Sequence, residues 1–337
     1  MIEVRDILAN MKDLIRIMRV AFLHLIYNIY PSLPLPKRAV IVAPHPDDEV
    51  IGCGGLIQAL VERGTPPHVI ILTGGEGSHR GCCDISAEEL ITGRHNLTIK
   101  AAETMGLPLS HIHCLQYPDG GVAIEHPETE RLAALLQELR PDAIFVPHHG
   151  EGWSDHVQAA TIVAQITDCR LQITGGESVS QTENEERTVK GERLTLKGEI
   201  RKEKSERRKV NGTDPSVLRT PAPNLGEEFS KQRTVKGERL TLKESVLCTP
   251  SSVLSTENSK PVIYQYCVWM WYYNVWDLRL KDGFLLRLTG KQHQLKQKAI
   301  EQYVTPLAPC GKPWSGVLPK PFLKATKWDK ELYFKVR

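Results

Sequence analysis

Residues 44–49 read Pro-His-Pro-Asp-Asp-Glu and follow directly on the apolar run Ala39-Val40-Ile41-Val42-Ala43. A short β-branched run closed by proline reads as the C-terminal end of a strand. One turn therefore receives an imidazole, His45, and three adjacent carboxylates, Asp47, Asp48 and Glu49. Acids this close push one another toward the neutral form unless water solvates them or a cation sits among them. A solvated acidic turn is the ordinary fate of an Asp-Asp-Glu run. Here His45 and the flanking prolines favour a metal site, because imidazole with carboxylate suits zinc and other divalent ions. Histidine recurs in Val146-Pro147-His148-His149-Gly150 and in Trp153-Ser154-Asp155-His156. Such a group titrates near working pH and can move a proton, although at a strand end it often only hydrogen-bonds to backbone.

These residues can act together only if strands deliver them to a common edge. From residue 37 to 169 strand and helix signals alternate, which predicts a parallel sheet covered on both faces. Strands are read at 39–43, 68–72, 112–116 and 143–146, and helices at 55–63, 87–105, 128–139 and 154–167. Each strand runs into a polar loop, at 44–49, 73–78, 117–121 and 147–155. Right-handed crossovers put successive strand ends on one edge, so the four loops are expected on one rim, with His45 near His156. In open α/β sheets that rim is where ligands bind. The expected fold class is α/β, a Rossmann-like three-layer sandwich with a mostly parallel sheet, interrupted by a long low-complexity insertion.

The hexapeptide resembles the metal-binding signature of the LmbE-like, or PIG-L, de-N-acetylases, zinc-dependent enzymes that remove the acetyl group from N-acetylated amino sugars. The resemblance implies that His45 and Asp48 bind the metal and that Asp47 is the general base. A His-x-Asp-His segment of that family, at a helix start, is matched by Trp153-Ser154-Asp155-His156. His156 falls on the third ligand and Asp155 on the acid beside it, which the resemblance counts as catalytic. Trp153 replaces the histidine that helps to protonate the leaving amine. Two ligands from one loop and one from a distant helix leave tetrahedral zinc an open position for an acidified water, whose proton Asp47 is suited to take. With Trp153 where it is, His148 or His149 is the remaining source of an acid, and His149 is assigned that part.

Two further matches imply substrate contacts. Arg94 heads a segment similar to the family's Arg-x-x-Glu-x-x-x-Ala-x-x-x-Leu-Gly pattern, continued by Ala101, Met105 and Gly106 but with Leu97 at the Glu position. Asp119 lies in Tyr117-Pro118-Asp119-Gly120, similar to a Pro-Asp-Gly turn. A forked donor and a carboxylate suit adjacent sugar hydroxyls; outside this setting they would be a helix-surface arginine and a turn aspartate. The loop Thr73-Gly74-Gly75-Glu76-Gly77-Ser78 lacks the spacing and lysine of a phosphate loop. It is read as shaping the pocket through close backbone approach, with Glu76 a surface acid. A late stretch, Lys298-Ala299-Ile300-Glu301-Gln302-Tyr303, is also similar to family members, so the resemblance covers 38–168 and more faintly 261–304.

The net charge of +3 over 337 residues is too small and dispersed to argue for nucleic acid. Among eight cysteines, Cys53, Cys114 and Cys267 lie in apolar patterns, Cys82 and Cys83 are adjacent, and no Cys-x-x-Cys occurs. Buried thiols in a reducing compartment are expected rather than disulfides. The first apolar segment carries no evident secretory signal and is too interrupted to span a bilayer. At helical spacing it sets Leu14, Ile17, Met18, Ala21, Leu25 and Ile29 opposite Lys12, Asp13, Arg16, Arg19, His24 and Asn28. The apolar face is expected to be buried on the catalytic domain or in a homo-oligomer. Peripheral contact with a membrane surface through residues 12–30 is the other reading, and the expected location is cytoplasmic, with such contact at the inner face.

Between residues 175 and 260 Phe229 is the only aromatic, and an eleven-residue segment occurs unchanged at 187–197 and 233–243. Two copies fall short of a solenoid, and so polar a composition cannot offset ordering entropy. A largely disordered insertion is expected. Afterwards a strand is read at 261–269 and a helix at 291–303, with Trp269, Trp271, Tyr272, Tyr273 and Trp276 as core or sheet surface rather than a stacking site. Four regions follow: an amphipathic helix and Pro-rich linker (1–36), a catalytic core (37–174), the insertion (175–260) and a C-terminal completion (261–337). The resemblance implies a Zn2+ hydrolase, with Fe2+ as the other candidate ion, acting on a small-molecule or lipid-linked GlcNAc-type substrate. A catalytically idle sugar-binding protein, an amidase for a different sugar conjugate, and a doubly wound nucleotide-binding protein are the competing readings.

Overall fold

Every residue of the run Ala39–Ala43, strand β1, is buried, as a strand covered on both faces requires. The computed structural model describes residues 4–79, 84–174, 260–272, 277–279 and 281–336, without the side chains of 4–10 and 169–174. The expected insertion, apart from Lys260, lies outside the described residues, as do Cys82, Cys83, Tyr273 and Trp276. Among the described residues the sheet has seven strands in the order β3-β2-β1-β4-β5-β7-β6. β1, β2 (His68–Thr73), β3 (Ile112–Tyr117), β4 (Ala143–Pro147) and β5 (Val262–Tyr266) run parallel; β6 (Gly283–Arg287) and β7 (Lys330–Lys335) complete it antiparallel. The protein is therefore an α/β three-layer sandwich with a mostly parallel sheet.

Alternation along β1 divides the core. Ile41 and Ala43 share one cluster with Leu56 and Ile57 of α2 (Asp48–Glu62), Ala101 of α3 (Ala87–Met105) and Ile300 of α6 (Gly290–Val304). Val40 and Val42 share the other with Leu132 and Leu136 of α4 (Glu128–Leu139) and Ile162 and Val163 of α5 (Ser154–Thr174). Each valine, leucine or isoleucine among them contributes about 1.5–3 kcal/mol on leaving water. The strand order reverses at β1, since β2 lies on one side of it and β4 on the other. A crevice at such a switch point is the binding position of this architecture.

Three expectations are corrected. The helix expected from residue 55 begins at Asp48, so Asp48 and Glu49 stand in its first turn, where the helix dipole favours negative charge. Gly52, Gly54 and Gly55 each cost the helix about 1 kcal/mol against alanine. Their purpose is close approach: a Cβ on Gly52 would lie 2.2 Å from the Tyr266 ring. The strand expected at 261–269 stops at Tyr266 and a 3₁₀ turn follows at Trp269–Trp271. There the Val268 and Met270 N–H groups donate to Glu151 Oε1, at 2.5 and 3.1 Å, instead of to a neighbouring strand.

The third correction concerns α1 (Val4–Tyr27), whose apolar face is not the one that packs on the catalytic domain, the first of its expected coverings. Leu14, Met18, Leu25 and Ile29 are 56–71% exposed, and Ile17 alone of the large residues on that face is half-buried. The opposite side packs on the domain through Leu23, Tyr27 and Tyr30, in a cluster with Met270, Trp271 and Phe334. Its polar residues find partners there. Arg19 donates to the Met270 and Trp271 carbonyls at 3.1 and 2.8 Å, the Arg16 guanidinium lies 4.2 Å from the Tyr272 ring centroid, and His24 stacks on Trp328 at 3.8 Å.

Candidate metal centre

The loops after β1 and β4 flank the switch point, and they carry His45 and the segment leading to His156. His45 Nδ1 lies 3.1 Å and His156 Nε2 3.3 Å from the same oxygen, Asp48 Oδ2. The three donor atoms lie within 4.8 Å of one another. The start of α2 sets this up, because a helical turn brings the Asp48 carboxylate back onto the His45 N–H at 3.0 Å. His156 stands in the first turn of α5, after the chain has turned at Gly152 with φ 79°.

The off-centre nitrogen of each imidazole meets a carboxylate. His156 Nδ1 is 2.8 Å from Glu151 Oε2, and His45 Nε2 is 3.2 Å from Asp155 Oδ2 and 3.3 Å from Asp119 Oδ1. With protons on those nitrogens, both rings direct lone pairs at the one Asp48 oxygen. Lone pairs facing a carboxylate repel, and His156 Nε2 is buried without a hydrogen-bond partner. A divalent cation among the three removes both difficulties, and a ring N–H held by a carboxylate is the usual support of a metal-binding histidine. Ligand atoms around a tetrahedral ion with 2.0–2.1 Å bonds are separated by about 3.3 Å, close to the distances found. The residues fit the group.

A second set, His45 with Asp119 and Asp155, also brings donor atoms together. Its carboxylates are committed elsewhere: Asp155 accepts from Gly120 and Val122 N–H, and Asp119 from Gly77 N–H. It would also leave His156 Nε2 without a partner, so the first set is the better cation site.

Electrostatics point the same way. Burial works against a charged His45, yet Asp119, Asp155 and Asp48 outweigh it and hold its proton well above the usual range. Burial likewise opposes a charged His156, but Asp48 and Glu151 raise it to about 9. Burial opposes ionisation of Asp48 too, and the two imidazoles reverse that and lower it. A site that attracts protons this strongly attracts a metal cation in their place.

Asp47 stands beside the cluster and outside both donor sets. Burial raises its proton affinity, with Arg94 opposing and Asp48 and Glu49 adding. Its carboxylate is 3.2 Å from Arg94, and its backbone N–H donates to Glu49 Oε2 at 2.9 Å. Arg94, expected at the substrate, is buried and also donates to the Gly75 and Pro46 carbonyls. Gly75 is where the pocket loop must approach: a Cβ there would fall 2.1 Å from the guanidinium. Asp119 is half-buried against His45 and Gly77, and Glu76, expected to be a surface acid, accepts from the Asp119 N–H at 2.8 Å.

His149 is exposed, bonded to Gln265 at 2.9 Å and stacked on His148. His148 is buried and bonded to Asp277 at 2.8 Å, which Arg279 also grips. Neither ring makes a described hydrogen bond to the cluster. Trp153 is 44% exposed and packs against Trp269, ring centroids 5.6 Å apart.

Of the supporting acids, Glu151 escaped the reading of the sequence, and Glu49 was placed in the acidic turn without a role. Glu151, fully buried, holds His156 and ties down residues 268–270, and its only signal was an acid five positions before a histidine. Glu49 accepts from the Tyr303 hydroxyl at 2.5 Å, and burial raises it to about 7.

Residues 40–167 match the family model described as PIG-L: GlcNAc-PI de-N-acetylase. Diacetylchitobiose deacetylase of Thermococcus kodakarensis is 29% identical over 127 residues, 36% of this chain and 46% of that one. A putative glucosamine-6-phosphate deaminase-like protein of Bacteroides thetaiotaomicron is 52% identical over 170 residues, 36% of this chain and 26% of that one. The chain thus spans about half the length of the first and about a quarter of the second. Among solved structures, N,N'-diacetylchitobiose deacetylase from Pyrococcus horikoshii is 18% identical, covering 79% of this chain and 69% of that chain at a TM-score of 0.46. The fold assignment rests on the strand order above.

Proposed function

We propose, from the premise that residues 40–167 are a segment of the PIG-L family, that the protein hydrolyses the N-acetyl group of an amino-sugar derivative to acetate and a free amine. The observation that supports this most is the convergence of His45, Asp48 and His156, with each ring's other nitrogen on a carboxylate. A divalent cation bound there, Zn2+ or Fe2+, supplies Lewis acidity toward water and the amide oxygen.

The chain's own groups do the rest. Glu151 fixes His156, and Asp155 with Asp119 fixes His45, so both rings present lone pairs in a set orientation. Asp47 takes the proton of the attacking water, and its raised proton affinity suits that task at neutral pH. Arg94 steadies Asp47 by a charge-assisted hydrogen bond and closes the loop wall behind it. When the carbon–nitrogen bond breaks, the departing nitrogen needs a proton. Trp153 offers none and His149 is engaged with Gln265, so Asp47 returns the proton it took.

Acetate release from acetamido sugars by the metal-loaded protein tests the proposal. Asp47→Asn should lower kcat by about 10²–10⁴-fold with metal content unchanged; loss of the metal in that variant would make Asp47 a ligand instead. Trp153 favours one second reading, a sugar-binding protein without turnover. Saturable sugar binding with no acetate released under any metal would establish that reading and reject the hydrolase.

A further inference from the structure

We infer that the outward stripe of α1, with the basic residues beside it, seats the protein on an anionic bilayer surface with the helix lying in the interface. Leu14, Met18, Phe22 and Leu25 expose 51–69% of their surface and follow one another at three- and four-residue steps along the helix, with Ile15 (62% exposed) beside them and Ile29 (71%) just past the helix end. The stripe cannot roll inward, because Arg19, Tyr27 and His24 on the other side are bonded or stacked to the domain. Among the described residues no helix is long and apolar enough to cross a membrane, and an exposed apolar stripe on an amphipathic helix suits lying at the headgroup boundary instead.

Charge decides between a bilayer and a second copy of the chain. Lys12 is exposed on α1 itself, and Arg287, also exposed, donates to the Asn28 carbonyl at the end of the helix. The helix α7 (Lys320–Ala325) packs through Ala325 into the cluster that holds Leu23 and Tyr27, and this segment exposes Lys320, Lys324 and Lys327. Two acids among the described side chains near them are matched, Asp13 by Arg16 at 2.9 Å and Asp329 by Lys330 at 3.8 Å. A twofold dimer through the stripe would oppose this basic border to itself. An anionic lipid surface complements it. The inference stands apart from the hydrolase reading and survives its failure.

Flotation of the full chain with vesicles tests it. With phosphatidylcholine and phosphatidylglycerol at 3:1 the protein should float at low salt, with capture about tenfold or more weaker on phosphatidylcholine alone and reduced in high salt. Leu14→Glu/Met18→Glu/Leu25→Glu should abolish capture, and Lys324→Glu/Lys327→Glu should reduce it several-fold. All five positions are exposed, so circular dichroism and Tm should stay as in the parent. Absence of capture by either vesicle overturns the inference, and equal capture by neutral vesicles overturns its anionic part. A dimer in sedimentation equilibrium that the triple variant dissociates, with no protein on vesicles, would assign the stripe to a second copy.

Discussion

At the rim of the sheet Asp47, Asp48, Asp155 and His156 are all buried, whereas along α1 Leu14, Ile15, Met18 and Leu25 are all more than half exposed. Buried charge is unfavourable unless partnered, and apolar surface left in water forgoes about 25 cal/mol per Å². Each region tolerates its own departure because the other side of the same element is satisfied. At the rim, carboxylates hold the outer nitrogens of both rings; on α1, Leu23, Tyr27 and Arg19 anchor the helix from beneath. What stays unmatched is an imidazole nitrogen in one case and a strip of methyl, methylene and ring groups in the other. Departures of opposite sign thus motivate the two proposals, a cation at the rim and a lipid surface along α1.

Breaking the rim should have the largest consequences. His156→Ala should remove bound metal, read by mass spectrometry of the native protein, and bring acetate release to the level of the chelated enzyme. Glu151→Gln keeps an oxygen for the Val268 and Met270 N–H groups but not the charge facing His156, and should weaken metal affinity by about 10–100-fold in a chelator competition. On α1 the two faces should separate cleanly in urea melts. Leu23→Ala should cost about 2–5 kcal/mol as a core truncation, whereas Met18→Gln should stay within about 0.5 kcal/mol; equal costs would mean that the helix packs the other way round.

The smallest effect sharpens the comparison through pH. Burial, with Lys330 adding and Asp329 opposing, lowers His24 from the usual 6.5 to about 4. Between those values the unfolded chain binds a proton that the folded chain refuses, so stability from this group is complete above pH 6.5 and is lost as pH falls toward 4. The stability advantage of the parent over His24→Gln should therefore shrink across that window, measured as the difference in urea midpoints. A constant difference would show that His24 titrates normally beneath Trp328.

Much of this molecule was legible because its signals are local. Short apolar runs marked β1 to β4, and the spacing of Pro44 to Glu49 marked the rim, since strand ends and their loops depend on neighbouring residues. The α2 start was not legible: three glycines that serve close packing against Tyr266, Leu288 and Lys296 look in sequence like helix breakers. The face of α1 was not legible either. Periodicity divides a helix into sides but cannot tell which side meets the domain, and here carbonyls of Met270 and Trp271, about 250 positions away, recruit Arg19. Glu151 was overlooked for the same reason, as its second set of partners lies beyond residue 260.

Asp47 sits at φ 119° and ψ −29°, a conformation L-residues avoid and that costs about 1–3 kcal/mol. Glycine would occupy it at ease. Backbone strain and side-chain role can therefore be separated at a single position: Asp47→Gly should melt at a higher temperature than Asp47→Ala, which loses the same carboxylate but keeps the strain, while both lose the group proposed to move the proton.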